Sequence, residues 1–225
     1  VYTMVDAVIL GRFVGKLALA TVGGSVGMIT YFVVFFFTTI FAGAAVLSAQ
    51  RCGAGDEKGL DVSLHTMMGL AVICAVVMTF VGELSVTWSL NLLDTPKELM
   101  QYSKEYLYVY YAGFAGPIFY NAGSAALRAV GDSRRPIIYL AFSCILNIVL
   151  DILFVIVIPM EVMGAAIATV ISQLLSALLV IIAVRKPYEI DGVTMKLSFC
   201  RIKKLFSMRV LKSQLSIGIP AAAES

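Results

Sequence analysis

Charge is scarce in this sequence. Only 14% of its 225 residues are Asp, Glu, Lys or Arg, where a soluble domain carries about 25%. That shortage excludes an ordinary water-soluble fold, whose surface needs those side chains. The net charge of +3 is too small and too scattered to grip a nucleic-acid backbone, so no nucleic-acid partner is expected. Histidine occurs once, as His65. It opens an apolar block with no partner nearby in sequence, and reads as a polar residue at a helix end rather than a metal ligand. The four cysteines, Cys52, Cys74, Cys144 and Cys200, have none of the pair spacings of a metal site and read as free thiols. Neither a transition-metal centre nor an organic cofactor is expected.

Apolar residues are abundant instead, at 60%, and they come in nearly uncharged blocks of about 20 to 30 residues, the length of membrane-spanning helices. Two of these segments are incomplete. The chain begins with Val1, and its first apolar run, Val1 to Leu10, is too short to cross a bilayer at about 1.5 Å per residue. It ends at Pro220-Ala-Ala-Ala-Glu-Ser225, inside another apolar segment. The expectation is a fragment, cut within one helix at the front and another at the back; no signal peptide is visible. Between them lie segments at about Leu19 to Gln50, Val62 to Leu92, Lys97 to Val130, Pro136 to Ile158 and Val162 to Val184, with a seventh starting near Leu211. The fold class expected is an all-α polytopic membrane protein.

The loops alternate in charge. Those after the second, fourth and sixth segments carry Arg51 and Lys58; Arg128, Arg134 and Arg135; and a basic stretch from Arg185 through Lys186, Lys196, Arg201, Lys203, Lys204 and Arg209 to Lys212. The opposite side has Arg12, Lys16, Lys97 and Lys104. The positive-inside rule puts the first set in the cytoplasm, so the first helix runs outward. A faint internal echo accompanies this: Gln50-Arg-Cys-Gly-Ala-Gly-Asp56 and Leu127-Arg-Ala-Val-Gly-Asp132 both close a helix on the cytoplasmic side. Asp6 is followed by Ala20-Thr21-Val22 as Asp151 is by Ala168-Thr169-Val170. Internal repeats are common in transporters, and shared use of Gly-Asp in helix-ending turns explains the first pair equally well.

Two aspartates stand inside the apolar segments. Asp6 lies about 9 Å along its helix from the outer end at Arg12, and Asp151 about 12 Å from Pro159. Both fall in the outer half of the membrane, where each charge costs on the order of 3 kcal/mol. Residues that costly are functional candidates. Asn147 sits one turn before Asp151 on the same helix face, and Thr169 lies about 7.5 Å below the outer surface on the next helix. An all-oxygen pocket of these four suits a hard cation such as sodium. It suits a proton equally, since two carboxylates in a dry pocket do not both hold their charge cheaply. Glu83, near the outer end of the third segment, is a weaker candidate, and Trp88 at that level reads as an interfacial anchor. Ala42-Gly43-Ala44-Ala45 and Gly164-Ala165-Ala166 read as close helix contacts.

Several stretches resemble one transporter family. Val5-Asp6-Ala-Val-Ile-Leu-Gly11-Arg12 with Ala18-Leu-Ala-Thr-Val-Gly23, the turn Gln50 to Asp56, and Ala126-Leu-Arg128-Ala-Val-Gly-Asp132-Ser-Arg134-Arg-Pro136 are similar to the multidrug and toxic compound extrusion (MATE) transporters. So are Asn147-Ile-Val-Leu-Asp151, Gly164-Ala-Ala-Ile-Ala-Thr169 and Ile217-Gly-Ile-Pro220-Ala. The resemblance implies twelve helices in two six-helix lobes around a central cleft. On that reading residues 1–185 are the amino-terminal lobe with its first helix truncated, 186–209 a cytoplasmic linker, and 210–225 the start of the second lobe. It implies that the cation site of this lobe maps onto Asp6, Asn147, Asp151 and Thr169. The function implied is efflux of small cationic or amphipathic compounds coupled to inward sodium or protons, by a multi-pass protein of the plasma membrane, of the bacterial inner-membrane kind. Its partners would be the small-molecule cargo, the lipid bilayer and the second lobe of the full-length chain. A lipid-linked oligosaccharide flippase of the same superfamily would line its cleft with basic residues to hold a diphosphate, and the apolar cores here hold no Lys or Arg. An intramembrane enzyme would need a nucleophile–base pair or metal ligands at depth, which a single histidine does not supply.

Overall fold

Inside a bilayer no water satisfies peptide groups, so a spanning segment must close its hydrogen bonds within itself. The computed structural model does so along each apolar run. It describes residues 2–185, 188–190, 193–195 and 205–224. The helices are α1 (Tyr2–Phe13), α2 (Lys16–Gly23), α3 (Ser25–Gly53), α4 (Glu57–Leu92), α5 (Lys97–Ala112), α6 (Ala115–Ala129), α7 (Arg134–Asp151), α8 (Glu161–Arg185) and α9 (Met208–Glu224). A π-helical turn, Ile152–Val157, continues α7. Among the described residues four stretches are long and apolar enough to cross a membrane: Lys16–Gly53, Glu57–Leu92, Arg134–Val157 and Glu161–Arg185. Their outer faces are apolar. Leu84 is 86% exposed and Phe32 74%, a surface that fits lipid and not water. Trp88 is exposed in the same way.

The segments differ from the sequence reading in four places. The segment expected as one helix from Lys97 to Val130 is two, broken at Gly113 and Phe114. A Cβ on Gly113 would lie 2.2 Å from Val170 Cγ1, so α8 approaches the backbone where the helix breaks. The second segment also breaks, between α2 and α3 at Gly24. His65 is not at a helix end. It lies within α4, fully buried, with Nδ1 2.7 Å from the Asp61 carbonyl and 3.0 Å from its carboxylate. Finally, a short antiparallel hairpin, β1 (Tyr188–Ile190) with β2 (Val193–Met195), pairs Tyr188 with Met195 and Ile190 with Val193. It falls in the stretch expected to be a linker, and adds a detail to an otherwise helical fold. Lys186, Lys196, Cys200, Arg201, Lys203 and Lys204 lie outside the described residues, while Cys52 and Cys74 are free thiols.

The helices form two compact units. One comprises Val1–Val33, Val76–Gly116 and Leu140–Ser176, the other Val34–Ala75, Pro117–Tyr139 and Ala177–Ser225. The second contains both Gly-Asp turns, and they are built alike. Gly55 and Gly131 take φ of 67° and 87°, a left-handed conformation that glycine adopts without a Cβ penalty. In each, the aspartate N–H donates back to the preceding helix, to Arg51 O at 3.0 Å and to Leu127 O at 2.9 Å. The aspartate Oδ1 then accepts from an N–H three residues on, from Gly59 at 2.9 Å and Arg135 at 3.1 Å. The same cap chemistry thus ends one helix and starts the next twice over.

Candidate functional site

The first unit holds its polar residues around one carboxylate. Asp6, on the middle of α1, is fully buried. Its Oδ2 accepts hydrogen bonds from Thr169 Oγ1 on α8 at 2.9 Å and from the Tyr106 hydroxyl on α5 at 3.1 Å. Its Oδ1 accepts from Asn147 Nδ2 on α7 at 3.4 Å, and the same nitrogen donates to Thr169 Oγ1 at 3.3 Å. Four helices therefore converge on a single acid. Asp151, one turn beyond Asn147, is also fully buried. Neither of its oxygens accepts from an N–H or hydroxyl donor; the group it faces is the Asp6 carboxyl. The Asn147 Oδ1 is likewise buried without a donor.

Local structure sets these positions. Asn147 and Asp151 share a face of α7 through their four-residue spacing. Directly after Asp151 the helix widens into the π-helical turn, closed by Ile158 N–H donating to Leu153 O at 2.9 Å. Such turns often accompany functional sites. The chain then reverses tightly into α8, with Met160 N–H donating to Phe154 O at 2.8 Å. A Cβ on Gly164 would meet that same carbonyl oxygen at 2.8 Å. The Gly164-Ala165-Ala166 stretch is thus a close helix contact, and it seats Thr169 opposite Asn147. Ser143, one turn before Asn147, makes a second link by donating to the Ser172 carbonyl.

Of the residues singled out from the sequence, Asp6, Asn147 and Thr169 are hydrogen-bonded to one another and Asp151 lies beside Asp6. Glu83 is half-buried on α4 and makes none of the bonds in this cluster. Thr21, the counterpart of Thr169 in the internal echo, bonds only its own helix, at Leu17 O. Tyr106 was missed. Its signal was present in the tyrosine-rich start of the fourth segment, where Tyr106 and Tyr110 stand one turn apart with rings stacked at 6.1 Å, both buried.

Chemically, the pocket offers two carboxyls, an amide oxygen and two hydroxyls, with three buried acceptor oxygens lacking a donor. Buried acceptors without donors are costly. An oxygen-lined site of this kind fits a proton shared between the acids, or a hard cation that takes oxygen ligands. The MatE family model matches residues 1–153 of the chain. This chain belongs to the MatE family. Among MatE relatives, it is 31% identical over 176 residues to the "Probable multidrug resistance protein YpnP" of Bacillus subtilis, covering 76% of this chain and 38% of that protein. It is 27% identical over 229 residues to "Probable multidrug resistance protein YoeA" of the same organism, covering 97% and 47%. A crystal structure of MATE in the bent conformation superposes with a TM-score of 0.86 at 25% identity, over 98% of this chain and 48% of that one. The chain therefore spans about half the length of the relatives it matches. Its fold is that of the amino-terminal lobe of a MATE transporter, in a multi-pass membrane protein.

Proposed function

We propose that the chain forms the amino-terminal half of a transporter that exports small organic compounds against an inward flow of sodium ions or protons. In this reading Asp6, Asn147, Asp151 and Thr169, with Tyr106, take up the coupling ion. The observation that carries it is the pairing of two fully buried acids, Asp6 and Asp151, inside an apolar helical unit. Bare charges there are costly, so the pair is most stable with a proton or a metal cation in place. Ion binding biases a transporter only if affinity differs between its states. A pocket assembled from α1, α5, α7 and α8 supplies that difference, because any change in their packing alters its geometry. The cargo is read as cationic or amphipathic, since the spanning stretches carry no Lys or Arg away from their ends. That also weighs against a phosphate-linked cargo.

The test is efflux of a fluorescent lipophilic cation from energised cells expressing the intact gene product. Export should stop when one of the two gradients, sodium or proton, is collapsed and continue when only the other is. Export that survives collapse of both gradients would overturn the reading.

The orientation follows from the basic loops. In intact cells a cysteine replacing the exposed Glu98, at the start of α5, should react with an impermeant maleimide. One replacing Ser133, in the turn before α7, should react only after permeabilisation. The reverse pattern would invert the topology.

A further inference from the structure

One turn inward of the acid pair, the first unit carries a second polar layer. On the orientation set by the basic loops, α5 and α8 run toward the cytoplasm and α7 away from it. Tyr110, Ser143 and Gln173 therefore lie about 6 Å inward of Tyr106, Asn147 and Thr169, four residues along the same helices. The layer is joined across helices. Ser143 on α7 donates to the Ser172 carbonyl on α8, and the Gln173 side chain interacts with the Tyr110 hydroxyl on α5. All four residues are buried, and so is Ser176, a turn further inward. The break between α5 and α6 falls at this level too: a Cβ on Gly116 would lie 3.1 Å from the Gln173 carbonyl carbon. There the Phe114 N–H donates to Tyr111 O and the Gly116 N–H to Gly113 O, where a continuous helix would bind the Tyr110 and Ala112 carbonyls.

Buried polar side chains between helices can serve as packing contacts, but such contacts are paired. Here Ser172 Oγ and Gln173 Oε1 are buried with no hydrogen-bond partner among the described residues, and a buried bond left unmade is costly. Both atoms are oxygens. With the hydroxyls of Tyr110 and Ser143 and the backbone oxygens at the break, they give an uncharged layer rich in oxygen. Such oxygens ligate a small hard cation, and unwound backbone at membrane depth is found where it lines a path. Without a carboxylate the layer holds a cation more weakly than the acid pair does, as a site that an ion must leave requires. The acids also need such a site. They stand in the outer half of the membrane, so an ion bound there has more than half of a core of about 30 Å still to cross.

We infer that Tyr110, Ser143, Ser172 and Gln173 form a relay site for a small cation, sodium or a hydrated proton, one turn inward of Asp6 and Asp151. The ion taken up by the acids passes through this layer on its way to the cytoplasmic side. The inference rests on the proposed ion coupling for the ion's arrival at the acids.

The experiment uses the intact gene product in proteoliposomes, with radioactive sodium and lumenal pH recorded in parallel so that the two cations are told apart. Gln173→Met removes the amide at similar volume, and Ser172→Ala removes a hydroxyl that has no partner. Gln173→Met should slow cargo-linked ion flux on the order of tenfold, the rate effect of losing one hydrogen bond to a charged group. Ser172→Ala should slow it in the same direction and unfold at the parent temperature. The half-saturating ion concentration should not rise in either, because the acids are untouched. Gln173→Asn, which keeps an amide oxygen, should recover part of the rate. Parent flux in both Gln173→Met and Ser172→Ala refutes the relay. A raised half-saturating concentration also refutes it, since the layer would then belong to the acid pocket itself. Should Gln173→Met fail to fold, Ser172→Ala alone decides. Ion exchange without cargo separates this inference from the export reading. Exchange slowed by Gln173→Met with no compound exported keeps the relay and removes the export reading. Coupled export unchanged by both variants keeps the export reading and removes the relay.

Discussion

Asp151→Asn in the intact gene product is expected to cut ion-driven efflux on the order of a hundredfold, the upper range of coupling between two ligands, without weakening the fold. The two halves of this expectation have one cause. Asp151 is fully buried and neither of its oxygens accepts from an N–H or hydroxyl donor, so an amide in its place gives up no such bond and can still donate to Asp6. Its neighbour is another acid, Asp6. Replacing it with a neutral side chain of the same shape removes a buried charge and a like-charge contact. Thermal unfolding in detergent should therefore occur at the parent temperature or above it. The ion, however, loses half of the charge that holds it. If efflux persists at the parent rate with the same ion dependence, the pocket is structural and the coupling assignment fails.

Asp6→Asn should lose efflux to a similar degree and lose stability as well. Asp6 accepts from Thr169 and Tyr106 on one oxygen and from Asn147 on the other. An amide turned to keep its oxygen toward Thr169 and Tyr106 presents its NH2 group to the NH2 group of Asn147. Two donors then face each other in a buried site, a cost of about 1–3 kcal/mol. Turned the other way, the amide forfeits the Thr169 and Tyr106 bonds instead. The informative comparison is the pair of unfolding temperatures: lower than the parent for Asp6→Asn, equal or higher for Asp151→Asn. Equal losses in both would mean that Asp151 has partners which its geometry does not suggest.

Much of this site was legible in the sequence because its residues violate their surroundings. An acid in an apolar run stands out by cost alone, and depth along a helix follows from a fixed rise per residue. Asn147 joined through its four-residue spacing, and Thr169 through its depth. Tyr106 escaped because tyrosine is common near membrane surfaces, so its presence violates nothing. What makes it part of the site is its hydrogen bond from α5 to Asp6, 100 positions away in sequence, which no local pattern records. The same limit explains the helix breaks. Apolar composition runs straight through Gly24 and Gly113, and a lone glycine in a helical pattern is tolerated. At the Gly113 break Val170, 57 positions away in sequence, lies where a Cβ would stand, a contact no local pattern announces. His65 was misplaced for a simpler reason: α4 begins at Glu57, a turn and more before the apolar run, so a residue at the edge of the run lies inside the helix. The Gly-Asp turns were read correctly as helix endings because their signal is local, a glycine followed by a capping aspartate.

The central claim is that the buried acid pair carries the ion that drives export. It is tested most directly by following ion movement itself in proteoliposomes containing the intact gene product. Radioactive sodium uptake and lumenal acidification would be recorded in parallel while cargo is transported. With the parent protein, one of these two ions should move opposite to the cargo and in fixed proportion to it. With Asp151→Asn, that coupled flux should vanish. Cargo-linked ion flux that continues unchanged in Asp151→Asn would contradict the account.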